Sequence, residues 1–356
     1  MTPFFNQTWD KAALLSRVGR IDQLAGIRLV EALEGKARGC RLLDVWTGSG
    51  LRFQVNADRA LDLTFCEFQG IPVAWYSPAG EVHPSFYEPE GFGWLRSFTG
   101  GLLTTCGLDQ FGVPSEDEGQ SFGLHGRISN TPADSLSQRS YWDGETYRLE
   151  VSAVIRQAAL FRENLVLRRK ITTSLGASRI QIEDTVTNEG FEATPHMILY
   201  HFNLGFPLVS EYSRLQLNTQ ETLPRDEEAL RGLAEWDRFQ PPTPGYREQV
   251  FIHRPIPDPS GKATVAFHNP RLGLCVRWQY STASLPYLME WKMMGMGAYV
   301  VGVEPANCNG LGGRAATRMK GELPILQPGE SRTYQIDFEV MPTKEGMEAA
   351  HEPDGD

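Results

Sequence analysis

The chain has 356 residues, 41% hydrophobic and 22% charged, a balance ordinary for a folded globular protein. A formal net charge of −10 with no long basic block argues against a nucleic-acid partner. No stretch approaches the roughly 20 apolar residues of a membrane helix, so no membrane partner is expected either.

Met1 to Arg20 lacks the basic-then-apolar pattern of a secretory leader. Trp9, Ala12, Ala13, Leu14 and Val18 approximate a 3.6-residue period, which predicts a short amphipathic helix capped by Asn6 or Thr8. It falls in a helical or extended lead-in over 1–40. The five cysteines, Cys40, Cys66, Cys106, Cys275 and Cys308, are odd in number and contain no C-x-x-C pair. That spacing argues against a disulfide framework and a structural zinc site, and fits a reducing, cytoplasmic setting.

After residue 40 the pattern turns to period 2. Arg41 to Trp46 and Leu51 to Val55 alternate around Thr47-Gly48-Ser49-Gly50, a hairpin signature in which glycine supplies the positive φ of a tight turn. Ala60 to Gln69 and Ile71 to Tyr76 continue the series. Tyr147 to Val154, Asn164 to Thr173 and Arg179 to Asn188 predict an antiparallel meander rich in β-branched residues. Further strands are expected at 196–204, 262–267, 273–280, 298–303 and 332–340. Glu116-Asp117-Glu118 and Asp226-Glu227-Glu228 read as solvated loops, the second with a helix candidate running to Leu233. Regularly spaced strands, with glycine and proline between them, predict an all-β fold: one large antiparallel sandwich over 41–341. An acidic tail, 342–356, is expected to fray.

Polar side chains enter strand-like surroundings in three places. Over Gly123 to Asn130, a strand would put His125, Arg127 and Ser129 on one face; the same residues also fit a strand end with a surface arginine and a histidine satisfied by backbone. In Leu199 to Pro207, His201 and Asn203 share a face opposite Tyr200 and Phe202. Buried there, they need partners, because an unsatisfied polar group costs roughly 1–3 kcal/mol. In Tyr299 to Asn307, Glu304 ends a run of valines where burial raises a carboxyl pKa toward the range of a general base; a turn-capping role at Pro305 is equally open. Upstream, Trp291 and Lys292 set a cation beside an aromatic platform.

Taken together these segments resemble the aldose-1-epimerase (galactose mutarotase-like) superfamily, and in particular a bacterial branch of unassigned reaction that shares the stretch Leu-His-Gly-Arg-Ile-Ser-Asn, here 124–130. The likeness also runs through Gly48 to Phe53, Asp58 to Asp62, Gly100 to Leu108, Asp184 to Asn188, Tyr200 to Asn203 and Val303 to Asn307. It implies a β-supersandwich whose cleft holds a sugar between two histidines and a glutamate, here His125, His201 and Glu304, with no cofactor. His196 is the substitute for His201, which sits nearer to Phe-Asn than the mutarotase histidine does. Glu304 is implied as general base at the anomeric hydroxyl and His201 as general acid at the ring oxygen. Arg127, Arg59, Asn203, Lys292 and Trp291 are implied as substrate-binding residues. Arg127 stands where the family has a second glycine, which implies an anionic or more oxidised substrate.

The expected partner is therefore a small-molecule carbohydrate, bound by a monomer or homodimer. Two other readings use the same cleft. One is a sugar isomerase or lyase in which His125, His201 and Glu304 hold a divalent metal; the other is a non-catalytic carbohydrate-binding protein.

Overall fold

In the computed structural model residues 2–4 and 7–342 are described; the acidic tail from 343 onward lies outside them, as does Asn6. Alternating apolar side chains give the chain long strands, and two large antiparallel sheets collect most of them. The larger sheet, of eleven strands, runs in the order Thr219–Pro224, Gln249–Pro255, Tyr287–Gly295, Ala298–Ala306, Met197–Gly205, Leu103–Leu108, Asp62–Phe68, Leu51–Asn56, Arg41–Trp46 and Gly26–Glu31, with Ile71–Pro72 added beside Asp62–Phe68. The smaller, of eight, runs Asp134–Asp143, Thr146–Ala158, Asn164–Ser174, Arg179–Asn188, Ser331–Pro342, Leu274–Ser281, Lys262–Asn269 and Arg214–Leu217. The expected hairpin is present, with Leu42 opposite Asn56 and Trp46 opposite Arg52. The meander gains a strand at its outer edge, Asp134–Asp143. The lead-in also contributes, since Gly26–Glu31 pairs with Arg41–Trp46.

The two sheets bury their facing side chains against each other. Phe202 of the larger sheet meets Trp278 and Phe338 of the smaller, with centroids 5.8 and 5.9 Å apart. Such aromatic contacts are worth about 0.5–1.5 kcal/mol beyond their buried area. Within this interface sits an ionic staple. Arg169 forks onto Asp184 at 2.9 and 2.6 Å and reaches Asp62 across the sheets at 3.1 Å. The Tyr200 hydroxyl donates to Asp184 at 2.8 Å, so the smaller sheet is tied to two strands of the larger.

Helix is scarce. α1, Lys11–Leu15, is capped by Asp10, whose Oδ1 accepts from Ala13 N at 2.7 Å; neither Asn6 nor Thr8 is the cap. α2, Glu227–Gly232, starts at Asp226, whose side chain caps Ala229 N at 2.9 Å. α3, Gly313–Met319, is held by Arg314 and Arg318 donating to Asp117 at 2.7 and 2.8 Å. The acidic cluster at 116–118 is therefore no solvated loop at its centre: Asp117 is buried between two arginines. All five cysteines are free and buried. Among the described residues no helix is long and apolar enough to cross a membrane.

Candidate active site

Strand parity builds the site. Along Met197–Gly205, Ile198, Tyr200, Phe202 and Leu204 enter the core between the sheets, while Met197 and Leu199 join a second apolar cluster on the opposite face. His201 belongs by alternation to that second face. The register pairing Phe202 with Val303 and Leu199 with Ala306 sets His201 across from Glu304. Glu304 Oε1 lies 3.2 Å from His201 Nε2. The approach lacks hydrogen-bond geometry, and Oε1 remains without a partner. One strand further, Trp291 stands opposite Gly302. A Cβ on Gly302 would collide with Glu304 Oε1 and come within 2.9 Å of Trp291 Cβ. Glycine there leaves the carboxylate its room.

His125 arrives from a different element. Leu124 and His125 form a turn, Gly126 makes an isolated bridge to Gly107 and Ile128–Asn130 is a 3₁₀ turn, so the strand expected over 123–130 is not formed. His125 takes φ 57°, and its own N–H donates to Gly112 O at 2.9 Å while Gly107 N donates to its carbonyl at 3.0 Å. Gly126, at φ +72°, presses its α-carbon against the Gln110 and Gly107 carbonyls, where a side chain has no space. This clamp aims the imidazole at His201, ring to ring at 5.7 Å, and against Trp94 at 4.8 Å. Trp94 in turn stacks on Phe98 and donates its indole N–H to Ser129 Oγ at 3.1 Å.

These groups line one cleft of about 360 Å³, within the range of small-ligand sites. Its walls are largely aromatic and aliphatic: Trp75, Phe92, Trp94, Phe98 and Trp291 supply rings, and Leu124, Val250 and Leu311 fill between them. Among the described residues, the only other ionisable side chains on its lining are Arg225 and Glu248. They leave adjacent strand ends and pair at 2.9 Å. Trp291 donates its indole N–H to Glu248 at 2.8 Å.

Burial dominates the electrostatics. It holds the Glu304 carboxyl well above the usual carboxylate range, an effect to which the nearby Glu248 adds. It drives His201 well below an ordinary histidine, with His125 contributing, and lowers His125 to about 4. Burial thus favours the uncharged form of the carboxyl and of both imidazoles. Three buried atoms there have no partner: His125 Nδ1, His201 Nδ1 and Glu304 Oε1. Leaving buried polar atoms unpaired is costly.

The expected trio thus converges, and Trp291 joins it. The other expected binding residues do not line the cleft. Arg127 is exposed beyond the turn, because loss of the strand removes the parity that aligned it with His125. Arg59 is buried elsewhere, donating to Val82 O at 3.0 Å, and burial lowers its pKa. Lys292 follows Trp291 on a strand and so points to the opposite face, donating to Glu235 O at 2.8 Å. Asn203 lies on the correct face but spends its amide on the Gly100 and His201 carbonyls. His196, the substitute for His201, is satisfied at both nitrogens by Leu108 O and the Tyr334 hydroxyl. Among the described residues no group of three His, Cys, Asp or Glu side chains is arranged to hold a metal ion, so the metal set expected as an alternative is not assembled.

Arg225, Glu248 and the aromatic segment Phe92–Phe98 escaped the sequence reading. Arg225 sits beside an acidic cluster, and Glu248 follows a Pro- and Gly-rich stretch, where no periodicity marks either as facing a cleft.

The domain of unknown function DUF4432 matches residues 37–340. No curated protein matches the chain. Among solved structures, a provisionally named aldose 1-epimerase from Klebsiella pneumoniae is similar at 26% identity and TM-score 0.87, covering 93% of this chain and 88% of that one. A galactose mutarotase-like protein from Clostridium acetobutylicum shares the fold at 14% identity and TM-score 0.63, covering 90% and 100%. Galactose 1-epimerase from Lactobacillus acidophilus does so at 14% and 0.54, covering 89% and 99%. With two packed antiparallel sheets and these neighbours, the chain belongs to the DUF4432 family, within the aldose-1-epimerase (galactose mutarotase-like) superfamily.

Proposed function

We propose that the cleft interconverts the anomers of a sugar by general acid–base catalysis, with Glu304 and His201 as the proton-transfer pair and His125 holding the ring. The observation that carries this is a buried carboxyl 3.2 Å from a buried imidazole, both lining an aromatic-walled cleft beside His125. A bound sugar donates its anomeric hydroxyl to Glu304 and accepts at its ring oxygen from His201, favouring carboxylate and imidazolium over the neutral pair. Glu304 then takes the O1 proton, the C1–O1 bond becomes a carbonyl, the C1–O5 bond breaks, and O5 receives the proton of His201. Rotation about C1–C2 and the reverse steps close the other anomer. A carboxylate with a raised pKa is the stronger base and an imidazolium with a lowered pKa the stronger acid, so both shifts favour transfer. Fold alone fixes no reaction, and the names of the neighbours agree with this one.

The direct test is NMR magnetisation transfer between anomers, run over a panel of aldoses. Acceleration by catalytic amounts of protein supports the reading. Sugars that bind without faster exchange would favour a binding protein.

The working state carries one proton on the Glu304–His201 pair. A second proton binds only when the lowered His201 value is reached, and the last leaves only above the raised Glu304 value. Hence the acid limb of kcat/KM is expected to lie below pH 6.5, the ordinary histidine value. An acid limb centred at or above 6.5 would contradict the assignment.

Gly302→Ala is expected to displace the Glu304 carboxylate, since the new methyl takes its place beside Trp291. A misplacement of this size costs about 10²-fold in rate, against about 1–3 kcal/mol of overpacking. Exchange rates and thermal melts on the same sample separate the two; loss of stability without loss of rate would count against the geometry.

A further inference from the structure

The polar inventory of the cleft is small, and most of it is already used. Ser77 Oγ donates to Phe98 O. Arg225 is engaged by Asp226 at 2.8 Å and by Glu248 at 2.9 Å, and Glu248 also receives the Trp291 indole N–H. Outside His125, His201 and Glu304, no side chain of the described residues on the lining offers an unpaired buried donor or acceptor. The hydrocarbon continues outward, where Phe92 and Leu95 are 61% and 53% exposed. Exposed apolar surface at the mouth of a cleft marks a contact for something apolar.

Charge points the same way. The lining carries two carboxyl groups, Glu248 and Glu304, and one cation, Arg225, which two carboxylates neutralise. A sugar acid, phosphate or sulfonate entering this cleft would give up hydration and meet no free cation. A fully hydroxylated aldohexose, with oxygen on nearly every carbon, would press several hydroxyls against indole and leucine, each desolvated without a partner.

From this we infer that the substrate of the cleft is a neutral, hydroxyl-poor sugar, a deoxyhexose, whose methyl or methylene groups lie on the aromatic wall while its anomeric centre meets Glu304 and His201. The inference rests on the anomer-exchange reading and names its substrate class. It replaces the anionic substrate implied by Arg127, which does not reach the cleft. Methyl and C–H faces gain from burial against Trp75, Trp94 and Trp291, where a hydroxyl would lose.

Matched sugars isolate the effect. Anomer exchange is measured for D-galactose, D-fucose (its 6-deoxy form) and D-galacturonate, and for D-glucose, its 2-, 3- and 6-deoxy forms and D-glucuronate. At least one deoxy sugar is expected to exceed its parent in kcat/KM by about 10- to 100-fold, the span of an apolar-pocket discrimination. Both uronates are expected to fall at least about tenfold below their parents. If exchange is accelerated but every parent hexose equals or beats its deoxy forms, or a uronate is preferred, the substrate class is wrong while the reaction stands. If no sugar in the panel exchanges faster than in buffer, both are overturned.

Discussion

Glu304→Gln is expected to reduce the catalysed anomer exchange by about 10²- to 10⁴-fold, the usual contribution of a positioned acid–base group, while sugar affinity changes by only a few fold. The amide keeps the shape of the carboxyl and its place across from His201 but cannot take the O1 proton. The fold should not suffer, because a buried carboxyl whose pKa is held high by burial contributes little that an amide does not. A melting temperature equal to or above wild type, alongside lost exchange, is therefore the expected pair of results. His201→Asn should lose rate similarly. The double variant should lose little more than either single one, since residues that act as a unit are not additive. Exchange within about fivefold of wild type in Glu304→Gln would remove the carboxyl from the chemistry.

Arg169→Leu should cost about 3–5 kcal/mol of stability, the penalty for stranding buried charges. Its guanidinium is fully buried against Asp184 and Asp62, and Thr105 Oγ1 adds a 2.6 Å bond to Asp62. With the arginine gone, two carboxylates face a leucine between the sheets. Denaturant unfolding reads the loss. Replacing Asp62 and Asp184 by leucine in the same chain should recover much of it, because apolar substitutes for a whole buried ionic group are often neutral or better. A single variant as stable as wild type would mean the staple carries no weight.

How far these features could be read in advance follows from the kind of signal each leaves. The alternation of Leu165, Leu167 and Ile171 with solvent-facing residues marks a strand, but nothing local says that the inward Arg169 will find Asp62 about a hundred positions away. Tyr200 and His201 were separable by parity alone, and so were the faces of Trp291 and Lys292, had a continuous strand been traced from Tyr287 to Gly295. His125 is legible as a polar side chain in a strand-like stretch and again through the likeness of its motif, whereas Arg127 is misaligned with it by a period-2 reading carried through Gly123 and Gly126. Positive φ at His125 and Gly126 breaks that period. Arg225 and Glu248 stand just outside strands that are short or at a sheet edge, where side-chain direction depends on the turn rather than on any repeat. The strand Gln249–Pro255 offers only Val250, Phe251 and Ile252 as an apolar run, too brief to distinguish a strand from a buried turn.

Anomer exchange in this cleft requires a sugar ring seated with its anomeric centre at Glu304 and its ring oxygen at His201. A crystal structure with a slowly turned-over sugar bound to Glu304→Gln tests it most directly. O1 is expected within hydrogen-bond distance of residue 304, O5 within reach of His201, and the C–H face of the ring against the indoles of the cleft. A ring bound with C1 turned toward the open end, away from both groups, would contradict it.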